Sequence, residues 1–463
     1  MYSLFQVKFS WPVYLISLLL IRVLFMDITW LSFFAIAVTL HQFFLLFYSF
    51  GHVLPIRYLL GSFMCLQMFL GPAFAYNGLD EYQLMYYKMQ VPEEQYFAYA
   101  LPAVILFILG LHFFAGKFNG ERIDKVAIQK FVQFNPKVPY IFIAIGFISS
   151  IVAGFFGSEL GFVFVLLGGL KFIGTSLLIL GNKKLKPLTL IAVYGAIFIS
   201  SLSQGMFHDL LIWLIFLGAV FALKYQPTNI IKGAFVLVFM TLATFIQLIK
   251  SDYRESTWKE GQEAGLETLG KVIEEDRRGK EGGIFSVERL AESNIRINQG
   301  FIVTNIMVTV PEKQPYENGE EMLLIVQSAI LPRLLAPNKL NAGDRKIFTK
   351  YTGIPLQKGT SMGLSSMGDA YVNWGEVGGS IFMFFYGLFF SWVLNSFAKH
   401  SYRFPILMVL TPLVFYYPIR PDCELQTILG HVVKSSFLIF VMLQVWKHHF
   451  FVNRRIPVLQ PTP

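Results

Sequence analysis

Residues 359–394 read GTSMGLSSMGDAYVNWGEVGGSIFMFFYGLFFSWVL. The second half of this stretch opens an apolar run that holds no charged side chain before Lys399. About 20 such residues in a helix cross the roughly 30 Å of hydrocarbon in a bilayer. The first half carries six glycines, four Ser or Thr hydroxyls and two carboxylates. The pattern predicts a flexible polar loop directly before a membrane-spanning helix.

The rest of the chain is equally apolar. Its 463 residues are 55% hydrophobic and only 14% charged, whereas a soluble domain carries roughly 25% charged residues. Apolar runs of span length, about twelve in all, begin near residues 10, 29, 55, 96, 138, 160, 187, 207, 231, 377, 404 and 426. We therefore expect an all-α polytopic membrane protein.

Charges in the connecting segments alternate along the chain. Basic side chains cluster in residues 117–137, 183–186, 224–232, 399–403 and 447–455, and acidic ones in the connections between them. Because basic loops stay in the cytoplasm, both termini are expected to be cytoplasmic. The net charge of +9 then belongs to membrane-flanking residues, and no nucleic-acid partner is expected.

One long insert interrupts this regular arrangement. We expect residues 1–249 to form a membrane domain of about nine spans, 250–376 a large extracytoplasmic loop domain, and 377–463 a membrane domain of about three spans. Within the insert, residues 258–289 have helical charge spacing with a break near 279–283. Residues 322–335 (MLLIVQSAILPRLL) are apolar but too short to span, which predicts an interfacial or re-entrant helix.

Basic side chains collect near the expected outer ends of the spans. They are Arg254, Arg333, Lys339, Arg345 and Arg420, the last followed by Asp422 and Glu424. A pyrophosphate group needs such donors, because Arg binds phosphate with two parallel hydrogen bonds and Lys acts as a point charge. The alternative is that these side chains flank the interface and pair with carboxylates. His431 is a separate polar side chain inside the final span.

The glycine-rich stretch also has the residue types of a sugar site. Asp369 and Glu376 are candidate general bases for a hydroxyl proton, and Tyr371 and Trp374 offer flat faces for a sugar ring. A flexible entry to the span, with aromatics in the interfacial belt, is the alternative. Two cysteines and the lack of metal-binding motifs predict neither a metal nor another cofactor.

Three motifs in order resemble the bacterial oligosaccharide repeat-unit polymerases of the Wzy type. They are ILPRLLAPNK (330–339), GTS (359–361) and GDAYVNWGEVGG (368–379). Asp369 stands where that family commonly has Glu, and Trp374 where Phe is common. The resemblance implies a GT-C-like membrane fold in the bacterial inner membrane, and it adds Thr360, Ser361 and Asn373 to the substrate-binding residues.

The resemblance also implies a reaction. A chain on undecaprenyl pyrophosphate would be transferred to a hydroxyl of the next lipid-linked repeat unit at the outer face, without a metal. Arg254, Arg333 and Arg420 would stabilise the pyrophosphate, with Lys339 and Arg345 as second candidates. Asp369 or Glu376 would act as base, with Asp422 and Glu424 in reserve, and a chain-length regulator would be a further partner. Another lipid-linked glycosyltransferase or an O-antigen ligase is the first alternative, and a lipid-linked oligosaccharide flippase is the second.

Overall fold

The computed structural model describes residues 10–115, 122–156, 158–181, 186–205, 207–254, 256–257, 265–279, 287–331, 340, 343–356 and 362–447. Within these ranges every regular element is helical and no strand is present. The twelve helices before the insert are α1 (Trp11–Leu24), α2 (Trp30–Ser49), α3 (Ile56–Cys65), α4 (Gly71–Tyr76), α5 (Glu93–His112), α6 (Lys125–Phe134), α7 (Val138–Val152), α8 (Ser158–Gly168), α9 (Leu170–Leu180), α10 (Pro187–Gln204), α11 (His208–Tyr225) and α12 (Asn229–Arg254). The insert adds α13 (Leu266–Gly279), α14 (Val287–Ile297), α15 (Gly300–Thr309), α16 (Glu320–Ile330) and α17 (Arg345–Thr352). The chain ends with α18 (Ser365–Ser401), α19 (Ile406–Phe415) and α20 (Leu425–Val445).

Ten helical segments in the described ranges are long and apolar enough to cross a membrane. Each of them overlaps a predicted span. The predicted spans near residues 10 and 404 correspond to α1 and α19, which are apolar but shorter. The expected all-helical architecture of a polytopic membrane protein is confirmed at this level.

Glycines bring α5 and α18 into backbone contact. A Cβ atom on Gly110 would lie 2.1 Å from the Phe384 carbonyl oxygen, and one on Gly387 would lie 2.1 Å from the Phe107 carbonyl oxygen. Small residues at a helix crossing allow this approach, and dispersion contacts along the crossing then hold the helices together. The position of α18 is therefore fixed by α5.

The insert packs on one end of the membrane bundle, which we call the loop face. Gln83 Nε2 donates to the Ala291 carbonyl at 3.1 Å, and Asn294 Nδ2 donates to the Gly71 carbonyl at 3.0 Å. Tyr99 donates from its hydroxyl to the Met367 carbonyl at 2.7 Å. These bonds join α14 and the start of α18 to the ends of α4 and α5.

The segment 322–335, predicted to be an interfacial or re-entrant helix, is helical in part, because α16 covers residues 320–330. It packs against α20 and the first part of α18. Within the predicted helix over 258–289 the structure has α13 and the start of α14, and the expected break near 279–283 lies almost wholly outside the described residues. Residues 258–264, 280–286 and 332–335 of these predictions lie outside the described residues.

The expectation of a flexible loop before the tenth span is wrong for residues 365–374, which are helical and almost wholly buried. Gly368 in this segment allows close packing against α15, because a Cβ atom there would lie 2.7 Å from Ile306 Cδ1. The helix kinks at Gly375, whose φ of 64° and ψ of −157° lie in a region open essentially to glycine alone. Residues 359–361 of the predicted loop lie outside the described residues, and residues 362–364 are not helical.

Candidate functional site

The turn of residues 416–424, between α19 and α20, is the centre of the polar residues at the loop face. Arg420 N donates to the Tyr417 carbonyl at 2.9 Å, and Cys423 N donates to the Arg420 carbonyl at 3.1 Å. Arg420 Nη2 also donates to Asp422 Oδ2 at 3.1 Å, and the two side chains are 17% and 33% exposed. The guanidinium is thus held in place while part of it remains accessible.

The Arg420–Asp422 pair stays ionised at neutral pH. Burial lowers the pKa of Arg420, but the charges of Asp422 and other neighbours raise it by more, so the pKa lies above its usual value. Burial raises the pKa of Asp422, whereas Arg420 lowers it by more, so that pKa lies below its usual value. Part of the Arg420 charge is therefore compensated by its own neighbour.

Further cations come close to Arg420 from other parts of the chain. Arg254, at the end of α12, donates from Nε to the Gly205 carbonyl at 2.8 Å. Burial and then the charge of Arg296 lower the pKa of Arg254. Lys250 is within range of electrostatic repulsion from Arg254, Arg296 and Arg420. We call these four residues the basic cluster.

A pocket of opposite charge lies on the other side of the turn. Its lining residues are Glu321, Ile325, Leu340, Asp344, Ile347, Phe348, Met362, Leu364, Asp369, Glu424 and Gln426. Four of these are carboxylates, and among the described lining residues there is no Lys, Arg or His. We call this the acidic pocket. Its volume of about 20 Å³ is room for one water or one hydroxyl group.

Two of the pocket carboxylates also hold the surrounding segments together. Asp369 Oδ2 accepts from the Leu425 amide at 2.9 Å, at the first residue of α20. Glu424 Oε1 accepts from the Gly343 amide and from Thr427 Oγ1, both at 2.8 Å. Since burial raises the pKa of Glu424, its proton affinity exceeds that of an exposed glutamate.

Glu321 has the most unusual surroundings of the four. It is 7% exposed, and its Oε2 atom is buried with no hydrogen-bond partner among the described residues. Burial and then the nearby charge of Glu317 raise its pKa to about 7. A carboxyl group with such a pKa can both take up and release a proton at neutral pH.

Sequence reasoning missed Glu321 and Arg296, and it did not select Lys250 as a site residue. Glu321 follows Glu320 at the start of an apolar helix, and acidic residues are common there because they favour the positive end of the helix dipole. Nothing in the sequence separates the two glutamates. Arg296 lies on an amphipathic helix of the insert, whose docking face the sequence does not reveal.

The predicted sugar-binding aromatics pack inside the protein. Tyr371 is 3% exposed, and its ring lies edge-on to Tyr99 at 5.1 Å. Trp374 packs on Phe382 at 5.2 Å. Asn373 is buried and accepts at Oδ1 from the Met322 amide at 3.1 Å. Asn373 joins α18 to α16, and Tyr371 packs α18 on α5. None of these three side chains lines the acidic pocket.

The remaining predicted residues lie apart from the pocket or outside the described residues. Glu376 is exposed and follows the Gly375 kink. Arg345 begins α17 and is also exposed. His431 is buried inside α20 and its Nε2 lies 2.7 Å from the Leu413 carbonyl. The residues outside the described ranges are Arg333, Lys339, Thr360 and Ser361.

Comparison with known proteins gives one match. A family model described as "Domain of unknown function (DUF8712)" matches residues 56–402. No curated protein matches the chain, and no solved structure does. The family match covers Lys250, Arg254 and Arg296 of the basic cluster and most of the acidic pocket, but not Arg420 or Glu424. Since this model matches well over half of the chain, the protein belongs to the DUF8712 family.

Proposed function

We propose that this protein polymerises lipid-linked oligosaccharide repeat units by transferring the growing chain from a polyprenyl pyrophosphate, undecaprenyl pyrophosphate in bacteria, to a hydroxyl of the next unit. The observation that carries the proposal is the turn of residues 416–424. On one side of it Arg420 joins the basic cluster, and on the other side Glu424 lines the acidic pocket. Such a transfer needs positive charge at the leaving pyrophosphate and a carboxylate at the attacking hydroxyl, and both groups lie next to the same anomeric carbon.

The basic cluster suits the donor end. When the bond between the anomeric carbon and the pyrophosphate oxygen breaks, negative charge develops on the leaving group. Fixed cations stabilise that charge best where water is scarce and where they need not reorganise. Arg254 and Arg420 are each held by a hydrogen bond, so their guanidinium groups are pre-positioned. Arg296 adds to the positive potential.

The acidic pocket suits the acceptor end. The acceptor oxygen forms its bond to the anomeric carbon as it loses its proton, and a nearby carboxylate takes that proton. The pocket has room for one hydroxyl group, and Asp369, Glu321 and Glu424 surround that space. Glu321, with its pKa of about 7, is the proton acceptor in this proposal, and Asp369 positions the start of α20 beside it.

The proposal places the loop face outside the bacterial inner membrane and both termini in the cytoplasm. The support is the distribution of basic residues in the sequence. The lipid tails of donor and acceptor would lie in the bilayer beside the apolar helices, and a chain-length regulator would bind the same enzyme from outside. Chain transfer at this face requires no metal-binding residue from this chain.

A gene-deletion strain tests the proposal. We expect deletion to leave single repeat units on the lipid carrier and on the surface, and wild-type protein to restore a ladder of longer chains on gels. Arg254→Ala and Arg420→Ala should give membrane-inserted protein that does not restore the ladder. Arg403→Ala is the matched control, because this exposed arginine follows α18 at the opposite end of the bundle; it should restore the ladder fully.

Other outcomes of the same gels would contradict the proposal in distinct ways. Full-length chains that stay on the lipid carrier would indicate a ligase. Loss of all surface glycan, with repeat units kept on the cytoplasmic leaflet, would indicate a flippase. A ladder restored by Arg420→Ala to the wild-type level would show that the basic cluster does not take part.

A further inference from the structure

The basic cluster and the acidic pocket at the loop face differ in the type of charged residue that they contain. This difference affects which acceptor sugar can bind. The donor pyrophosphate has a basic cluster to bind to, but the acidic pocket has four carboxylates and no cation among the described residues that line it. Three of these carboxylates are held by amides of the chain itself: Asp369, Glu424 and Asp344, whose Oδ1 accepts from the Lys346 amide at 2.8 Å. The positions of these acid groups are therefore fixed by the fold.

Glu321 supplies a second and independent observation. Its side chain lines the pocket, is 7% exposed, and has a buried Oε2 atom without a partner among the described residues. A buried acceptor of this kind is costly unless a ligand donates a hydrogen bond to it. Hydroxyl and ammonium groups are the donors that a sugar can offer.

A metal ion is a poorer match to the same carboxylates. Among the described residues no three His, Cys, Asp or Glu side chains are arranged to hold one. A sugar hydroxyl, in contrast, needs only one acceptor at hydrogen-bond distance, and the pocket has room for one such group.

We infer that the acidic pocket selects the acceptor sugar by charge: it accepts a neutral or amino sugar and rejects one that carries a carboxylate or phosphate. This inference rests on the proposed function. A uronic acid at the acceptor position would bring a negative charge next to the ionised carboxylates of the pocket, and like charges placed together across an interface are a general means of excluding a wrong partner. An amino sugar would place its ammonium group among the carboxylates instead.

Purified full-length protein and the native lipid-linked repeat unit, isolated from the deletion strain, provide the test. The acceptor sugar of that unit is first identified chemically. Chain transfer is then measured to the native acceptor and to the same acceptor with its primary alcohol oxidised to a carboxylate. We expect transfer to the oxidised acceptor to be at least tenfold slower.

Two neutralising variants assign the discrimination to the pocket. Asp344→Asn keeps a helix-capping side chain, and Glu424→Gln keeps an oxygen for the Gly343 amide. Each variant should reduce severalfold the ratio between the transfer rates to the native and to the oxidised acceptor. Glu312→Gln removes an exposed carboxylate between α15 and α16, and it should leave the ratio of the two transfer rates unchanged.

The outcomes separate this inference from the proposed function. A native acceptor sugar that itself carries a carboxylate or phosphate, equal transfer to both acceptors, or discrimination unaffected by Asp344→Asn and Glu424→Gln would each overturn the charge selection while chain transfer stands. Absence of transfer to either acceptor would instead remove the proposed function.

Discussion

At the scale of single residues, Glu320 and Glu321 are adjacent in the chain but have opposite surroundings. Glu320 is exposed, whereas Glu321 is buried in the acidic pocket. The difference arises because only one of two neighbouring positions at a helix start faces the packed side. The sequence offered Arg254, Arg420 and Asp369 as candidates because they follow or precede apolar runs. It could not offer Glu321, whose importance depends on burial alone.

Glu321→Gln should lower the rate of chain transfer by about 10²–10⁴-fold, the usual contribution of a general base. The amide matches the carboxyl in shape, so the protein should still fold and insert. Glu320→Gln makes the same chemical change one residue earlier and should keep the wild-type rate. Transfer assays with purified protein check both. Similar rates for the two variants would contradict the role of Glu321.

The pH dependence of the wild-type enzyme follows from the same group. A base acts in its deprotonated form, and the pKa of Glu321 is raised to about 7. The rate should therefore be low at acid pH and rise through about pH 7, rather than through the range near 4.5 of an ordinary glutamate. Initial rates measured across this range test the prediction. An acid limb centred below about pH 5 would indicate a more exposed carboxylate as the base.

At the scale of elements, the crossing of α5 and α18 determines where Asp369 lies. The second part of α18, after Gly375, was predicted from its apolarity alone. The first part was not, because its glycines and hydroxyls are typical of a loop when read locally. They form a helix because α15, α16 and α5 surround it, as the bonds from the Met322 amide to Asn373 and from Tyr99 to the Met367 carbonyl show. Tertiary packing overrides local preference here.

Gly110→Ala tests this crossing. The added Cβ would lie 2.1 Å from the Phe384 carbonyl oxygen, so the helices must move apart. Overpacking of this kind costs about 1–3 kcal/mol of unfolding free energy, and chain transfer should also fall because Asp369 moves with α18. Gly195→Ala in α10 is the control, since a Cβ there meets no atom within 4 Å. Thermal unfolding in detergent should show a lower Tm for Gly110→Ala alone.

At the scale of the whole molecule, basic residues distinguish the two ends of the helical bundle. The insert, the 416–424 turn and both charged regions of the site lie at the loop face, and most of the basic loops belong to the other end. The number and placement of long apolar helices were readable from the sequence because lipid requires about 20 apolar residues per span. The docking of the insert was not readable, since it depends on contacts between residues far apart in the chain.

Thiol labelling measures the orientation of these two ends. Single cysteines in place of Glu312 at the loop face and Arg403 at the opposite end, in a protein with Cys65→Ala and Cys423→Ser, should react differently with a membrane-impermeant reagent. We expect Glu312→Cys to be labelled in intact spheroplasts, and Arg403→Cys only after the membrane is opened. The reverse pattern would place the site in the cytoplasm, where it could not build a surface polysaccharide.

We propose that this chain alone joins lipid-linked repeat units at the loop face. Reconstitution of the purified protein into liposomes with the native lipid-linked unit provides the test. We expect products of two and more repeats with release of one polyprenyl pyrophosphate per linkage, and none of either with Arg420→Ala. Repeat units that remain single after incubation with correctly inserted wild-type protein would show that the chain does not join them.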